Sequence, residues 1–193
     1  MKNISALILA GGKSSRMGRD KALVCYQGKP MLKRVYEVAQ ECTQEVYILT
    51  PWCDRYKHIL PSDCNYLTES QSGNGPLYGL YQGLKQISTQ WILLLACDLP
   101  LLKTKIIQKW INDLEQVHEE ILAVVPHNSV NWEPMCGFYR HHILPELQSL
   151  IQTGGHSFQE CFSDIKVQAL SITPEVKLML HNCNTPEDLN KAF

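Results

Sequence analysis

Ala6-Leu7-Ile8-Leu9-Ala10-Gly11-Gly12-Lys13-Ser14-Ser15-Arg16-Met17-Gly18-Arg19-Asp20-Lys21 begins as an uncharged apolar run, breaks at a glycine pair, and continues into a loop rich in cations. A run of this kind is a buried strand that opens into an anion site. Glycine lets the backbone approach a ligand without a Cβ, and successive amides can form a nest around phosphate oxygens. Lys13, Arg16, Arg19 and Lys21 add donors that orient those oxygens. The reading that follows is a nucleoside triphosphate site. The same residues also fit a tight strand-to-helix turn with solvated cations, so the rest of the chain has to decide.

Two common phosphate signatures are absent. Gly12-Lys13-Ser14 imitates the end of a P-loop, but the glycine required five residues earlier falls at Leu7. In Gly11-Gly12-Lys13 a lysine stands where the dinucleotide fingerprint needs its second glycine.

With 193 residues and 45% hydrophobic content, the chain can bury a substantial core without staples. A net charge of −1 provides no overall field to draw it onto nucleic acid or an anionic membrane, so neither is expected as a partner. The eight cysteines contain no Cys-x-x-Cys and are mostly flanked by apolar residues, as expected of small buried hydrophobes in a reducing compartment. A cytoplasmic location follows as an expectation. Lys2 and the apolar residues after it imitate a secretory signal, but the run is short and leads into cations rather than a small-residue cleavage site.

Along the chain, apolar runs and helical periodicity alternate. Ile4 to Ala10 reads as a core strand, and Met31, Leu32, Val35, Val38, Ala39 and Cys42 recur at helical spacing behind Pro30. Glu45 to Thr50 is a second strand, residues 51 to 64 a short helix, and Asn65 to Glu69 a brief strand. After the polar loop Ser70 to Pro76, a helix is predicted over Leu77 to Ile87, then Trp91 to Ala96, apolar on both faces, as a central parallel strand. Beyond it the pattern predicts helix Lys103–Val117, strands Ile121–Val125 and Glu133–Tyr139, helices His142–Ile151 and Ser157–Phe162, and strand Val167–Ile172. A further extended piece is read at Leu178 to Asn182, and a capped helix at Thr185 to Leu189. The fold class is therefore α/β: a single doubly wound, mostly parallel sheet with helices on both faces. Ligands in such sheets bind outside the carboxyl ends of the strands.

That rule picks out the loop after Ala10, the loop after Leu67, and Asp98 at the end of the most apolar strand. A carboxylate at the mouth of a central strand beside a cationic loop suits Mg²⁺ held against phosphate oxygens. Lys21 lies far enough beyond the glycines to reach back over a triphosphate. His141-His142 and His118-Glu119-Glu120 lack the spacing of metal ligands, and no Gly-x-Ser-x-Gly elbow occurs.

Leu9-Ala10-Gly11-Gly12 followed by Arg16-Met17-Gly18 and Asp20-Lys21 resembles the signature loop of the molybdenum cofactor guanylyltransferases, nucleotidyltransferases of Rossmann-like fold. Gly28-Lys29-Pro30, Gly75-Pro76-Leu77, Cys97-Asp98-Leu99-Pro100 and Asn182-Cys183-Asn184-Thr185-Pro186-Glu187-Asp188-Leu189 extend the resemblance over nearly the whole chain. It implies one nucleotidyltransferase domain over residues 1–193, with 1–100 mainly the GTP and Mg²⁺ half and 101–193 mainly the pterin half. The implied activity is transfer of GMP from GTP to the phosphate of molybdenum-molybdopterin, releasing diphosphate. Leu9, Ala10, Gly11 and Gly12 would line the nucleotide with Glu69, while Lys21, Asp98 and Arg16 form the catalytic set and Asp98 holds Mg²⁺. Asn182 and Asn184 would face the pterin substrate, and apo-molybdoenzymes or their chaperones enter as further partners.

The chain departs from the family pattern at Glu69, where aspartate is usual, and at Leu49 or Thr50, where asparagine is usual. The first departure loosens the expectation for the base. Ala10-Gly11-Gly12, where cytidylyl relatives would have Ala-Ala-Gly, favours the larger guanine. A cytidylyl or sugar-phosphate nucleotidyltransferase remains the alternative within the fold, and a nucleotide-binding delivery adapter the alternative outside catalysis.

Overall fold

The computed structural model describes residues 3–11, 20–68 and 73–183. Strand β1 (Ile4–Leu9) runs through the middle, and its alternation divides the interior. Ala6 and Ile8 belong to one apolar cluster, Leu7 to a second on the opposite face. The chain then passes through a 3₁₀ turn (Lys21–Leu23), a small hairpin of β2 (Cys25–Tyr26) and β3 (Lys29–Pro30), helix α1 (Met31–Cys42), β4 (Glu45–Thr50) and β5 (Asn65–Thr68). Helix α2 (Gly75–Leu84), β6 (Trp91–Ala96), α3 (Thr104–Asp113), β7 (Ala123–His127) and β8 (Cys136–Arg140) come next. Helices α4 (Leu144–Gln152) and α5 (Phe158–Asp164), strand β9 (Val167–Ser171) and α6 (Pro174–Met179) complete the described elements.

Seven strands form one sheet in the order β5-β4-β1-β6-β8-β7-β9. All neighbours are parallel except β8, which is antiparallel to both β6 and β7. The short β7–β8 connection cannot house a crossover helix, so the chain has to return as a hairpin. Residues of α1 and α3, with Val176 and Met179 of α6, cover one face; residues of α2, α4 and α5 cover the other. Every residue of β6 is buried, as an apolar run covered on both faces should be.

The hairpin was not evident from periodicity. It turns on Gln27 and Gly28, both at positive φ (49° and 77°), the conformation that a two-residue hairpin loop needs and that glycine adopts without strain. Pro30 consequently ends β3 and caps α1 rather than starting it.

Three local expectations are corrected. Residues 51 to 64 hold only a 3₁₀ turn at Cys53–Arg55 and further turns, because so short a stretch between prolines does not sustain an α-helical nucleus. Leu178 to Asn182 is not extended. Thr173 caps α6 by accepting from the Val176 amide, and the helix runs to Met179 with Pro174 in its first turn. The Thr-Pro-Glu signal read at Thr185 is also present at Thr173, twelve residues earlier. Helix α2 begins two residues before Leu77, so that Gly75-Pro76 opens it. The Thr185–Leu189 helix lies outside the described residues.

Candidate functional site

The strand order reverses direction around β1. From β1 the chain moves to β4 and β5 on one side, and from β5 it crosses by α2 to β6 on the other. The ends of β1 and β6 therefore flank a switch point, where open sheets of this kind leave a crevice for ligand. Gly11 follows one strand and Asp98 the other.

The peptide groups just before Gly11 are already engaged. The Leu9 carbonyl accepts from Cys97 N at 3.4 Å, Ala10 N donates to the Leu49 carbonyl at 3.0 Å, and the Ala10 carbonyl accepts from Thr50 Oγ1 at 2.9 Å. Leu9 and Ala10 are thus tied to β6 and β4. Gly11, half-buried, forms no backbone hydrogen bond among the described residues. Gly12 and Arg16 lie outside the described residues.

Tyr56, fully buried, connects this strand end to the chain beyond the loop. Its hydroxyl donates to Asp20 Oδ2 at 2.9 Å and lies 3.3 Å from the Ala10 carbonyl. Burial pushes the phenol well above its ordinary range, with the Asp20 carboxylate adding to the rise, so it remains a protonated donor. Asp20 also caps the following 3₁₀ turn through Ala22 N at 3.1 Å and has Arg55 within 3.8 Å. Held in this way, Asp20 sets the backbone from which Lys21 projects.

Lys21 Nζ reaches Asp98 Oδ2 at 3.3 Å, across 77 positions of sequence, with both side chains mostly buried. Asp98 is itself clamped on several sides. Its carbonyl accepts from Cys183 N at 3.1 Å, and Arg34 Nε donates to the Pro100 carbonyl at 3.1 Å. Cys183 is buried with Val24, Tyr26 and Met31, which anchors the segment after α6 beside Asp98. Exposed Asn182 is the next residue back along this segment. Lys21 and Asp98 therefore meet, with Asn182 one residue from the Cys183 amide bonded to Asp98 and Gly11 two residues beyond the Leu9 carbonyl bonded to Cys97. Glu69 and Asn184 lie outside the described residues.

Next to Asp98, burial and the adjacent carboxylate push the Cys97 thiol far up, so it serves as a small apolar residue. All eight cysteines are free; Cys25 is exposed and the others are buried or partly so. Burial raises Cys42, Cys136 and Cys161 to about 12. No group of three or more potential metal ligands occurs among the described residues.

Sequence reasoning missed Thr50, Tyr56 and the anchoring role of Asp20. Thr50 is the polar end of an otherwise apolar strand, and Tyr56 is an aromatic set among Asp54, Arg55, Lys57 and His58. Both are signals of a side chain turned inward. The loop at Gly154-Gly155-His156-Ser157 also resolves into a local device. Glu160 Oε2 accepts from His156 N at 3.0 Å, Ser157 N at 2.9 Å and Ser157 Oγ at 2.8 Å, while Ser157 Oγ accepts from Glu160 N. A capping box occupies the start of α5.

A sequence model of the MobA-like NTP transferase domain matches residues 6–166. The chain belongs to the MobA-like NTP transferase family. A probable molybdenum cofactor guanylyltransferase of Nostoc sp. is 50% identical over 190 residues, covering 98% of this chain and 90% of the relative. Another of that name from Trichormus variabilis is 48% identical over the same shares. Among solved structures, the molybdopterin-guanine dinucleotide biosynthesis protein A of Archaeoglobus fulgidus superposes with a TM-score of 0.80, covering 97% of this chain and 96% of that one at 20% identity. The family match covers the glycine loop, Lys21 and Asp98 alike. No helix among the described residues is long and apolar enough to cross a membrane.

Proposed function

We propose that the chain transfers GMP from GTP to the phosphate of molybdenum-molybdopterin, releasing diphosphate. The observation that carries the reading is the Lys21–Asp98 pair at the switch point between β1 and β6, in a chain half identical to a relative named for this activity. On this reading the β5-β4-β1-β6 side of a doubly wound, Rossmann-like sheet takes GTP, and the segments after Asp98 take the pterin substrate.

Asp98 suits Mg²⁺. It offers one mostly buried carboxylate, of which Oδ2 faces Lys21. Mg²⁺ keeps several waters and binds through one or two carboxylates plus substrate phosphates, so a full cage of protein ligands is not required. When bound, the ion supplies charge neutralisation at the phosphate oxygens.

An oxygen of the acceptor phosphate forms a bond to the α-phosphorus of GTP. The bond from that phosphorus to the β-phosphate oxygen breaks, and its electron pair leaves with diphosphate. The nucleophile is already anionic, so the protein's work is positioning and electrostatic stabilisation. Lys21 neutralises charge developing on the transferred group, Arg16 and the loop amides with Gly12 hold the triphosphate, and Asp98 orients the metal-nucleotide. Gly11 admits the guanine, with Glu69 accepting from its nitrogens; Asn182 and Asn184 contact the pterin substrate. We place this activity in the cytoplasm, with apo-molybdoenzymes or their chaperones receiving the product.

A nucleotide panel read by diphosphate release, with metal-loaded pterin and Mg²⁺ present, tests the assignment. GTP is expected to be preferred. Preference for CTP would favour the cytidylyl alternative, and nucleotide binding without any diphosphate release would favour the delivery adapter.

A further inference from the structure

One carboxylate at the catalytic edge has no role in the scheme above. Glu133 precedes β8, and because β8 is antiparallel, its start lies at the same sheet edge as the ends of β1 and β6. Two contacts fix the position. Ala96 N donates to the Met135 carbonyl at 2.9 Å, and Glu133 N donates to the Pro126 carbonyl at 2.9 Å. Cys136 pairs with Leu95, so the turn carrying Glu133 lies against the end of β6, from which Asp98 follows. Adjacent strands are about 5 Å apart, so the two carboxylate-bearing segments are near neighbours.

The Glu133 side chain is half-buried and makes no hydrogen bond or ion pair among the described residues. Burial alone raises its pKa. A half-buried carboxylate with no donor from the described residues is available to accept from a ligand that brings donors. Directly before it, Trp132 packs on His127 at 4.3 Å between ring centroids, so flat aromatic surface borders the same turn.

An in-line displacement places acceptor and leaving diphosphate on opposite sides of the α-phosphorus. On the guanylyl-transfer reading, with GTP at the ends of β1 and β6, the adjoining start of β8, where Glu133 stands, is the neighbouring place for the acceptor. We propose that Glu133 recognises the acceptor by accepting two hydrogen bonds from the 2-amino-4-oxopyrimidine edge of its pterin ring. That edge presents two parallel N–H donors, which match the two oxygens of a carboxylate. Guanine has the same edge, so the kinetics must separate the two rings. The inference rests on the guanylyl-transfer reading.

The test is steady-state diphosphate release by the full chain and its Glu133→Gln and Glu133→Asp variants, varying GTP and metal-loaded molybdopterin separately. Glu133→Gln is expected to raise the KM for the pterin substrate by roughly ten- to a hundredfold, with the KM for GTP unchanged, and Glu133→Asp to recover part of the loss. The melting temperature of Glu133→Gln should not fall, because the Glu133 side chain has no partner among the described residues. An unchanged pterin KM in an active variant overturns the inference alone. A rise confined to the GTP KM also overturns it, by assigning the carboxylate to guanine. No diphosphate release by the wild-type chain with any nucleotide overturns the transfer reading and this inference together.

Discussion

Replacing Asp98 by asparagine separates the catalytic duty proposed for the Lys21–Asp98 pair from its structural one. At 3.3 Å and an effective dielectric constant of about 20, the gross attraction is about 5 kcal/mol. Withdrawing each charge from water costs several kcal/mol, so the net contribution of the pair to folding is close to zero. Breaking a fully buried pair costs about 3–5 kcal/mol, because one charge remains uncompensated. Here both side chains keep some contact with solvent, at 19% and 17% exposure, so the expected loss in Asp98→Asn is nearer to about 1–2 kcal/mol. Catalysis should suffer far more. Removing one preorganised charged group from a reacting centre lowers kcat by about 10²–10³, or about 3–4 kcal/mol. Urea unfolding and diphosphate release with GTP and metal-loaded pterin measure the two quantities on the same preparation. In Lys21→Met/Asp98→Asn stability should recover relative to Asp98→Asn, since the ammonium that lost Asp98 as a partner is removed too, while activity should not. Activity of Asp98→Asn within tenfold of wild type would refute the assignment.

Tyr56→Phe removes the donor to Asp20 and should cost about 1.5–3 kcal/mol in urea unfolding, typical of a buried hydrogen bond to a charged group, and raise the KM for GTP; a loss below about 0.5 kcal/mol would contradict the anchoring role. Glu160 titrates near 2 instead of 4.5, chiefly through the His156 amide and the Ser157 hydroxyl and amide. Its depressed pKa means that its stabilisation is fully present above pH 4.5 and fades as the pH falls towards 2, so the stability gap between wild type and Glu160→Gln should close across that window in an acid titration. Gly83→Ala would place a Cβ 2.3 Å from Leu7 Cδ2 and 3.3 Å from its Cγ, inside the packed α2–β1 contact. Overpacking of about 1–3 kcal/mol outweighs the helix-propensity gain of about 1 kcal/mol, so thermal unfolding should occur at a lower temperature; a stabilised variant would show that Leu7 repacks freely.

Local chemistry made much of this molecule legible in the chain. Glu45–Thr50 and Trp91–Ala96 match their observed strands residue for residue, because each is an apolar run bounded by a turn or a breaker. The family resemblance, carried by short motifs around Gly11, Lys21 and Asp98, needed no tertiary information either. Local signals failed where two conflicted. An extended piece is read at Leu178 to Asn182, but Thr173 and Pro174 start a helix whose capping bond outweighs it.

What only the tertiary structure decided is which distant groups meet. Periodicity and capping report on neighbours within about one turn or one pleat, whereas the Lys21–Asp98 contact depends on β1 and β6 lying side by side, a property of strand order. The same holds for Tyr56, whose hydroxyl closes the gap between Ala10 and Asp20 from a segment with no regular element to announce it. Glu133 is the clearest instance. In the sequence it begins a strand; only the reversed direction of β8 brings it to the sheet edge where Asp98 follows β6.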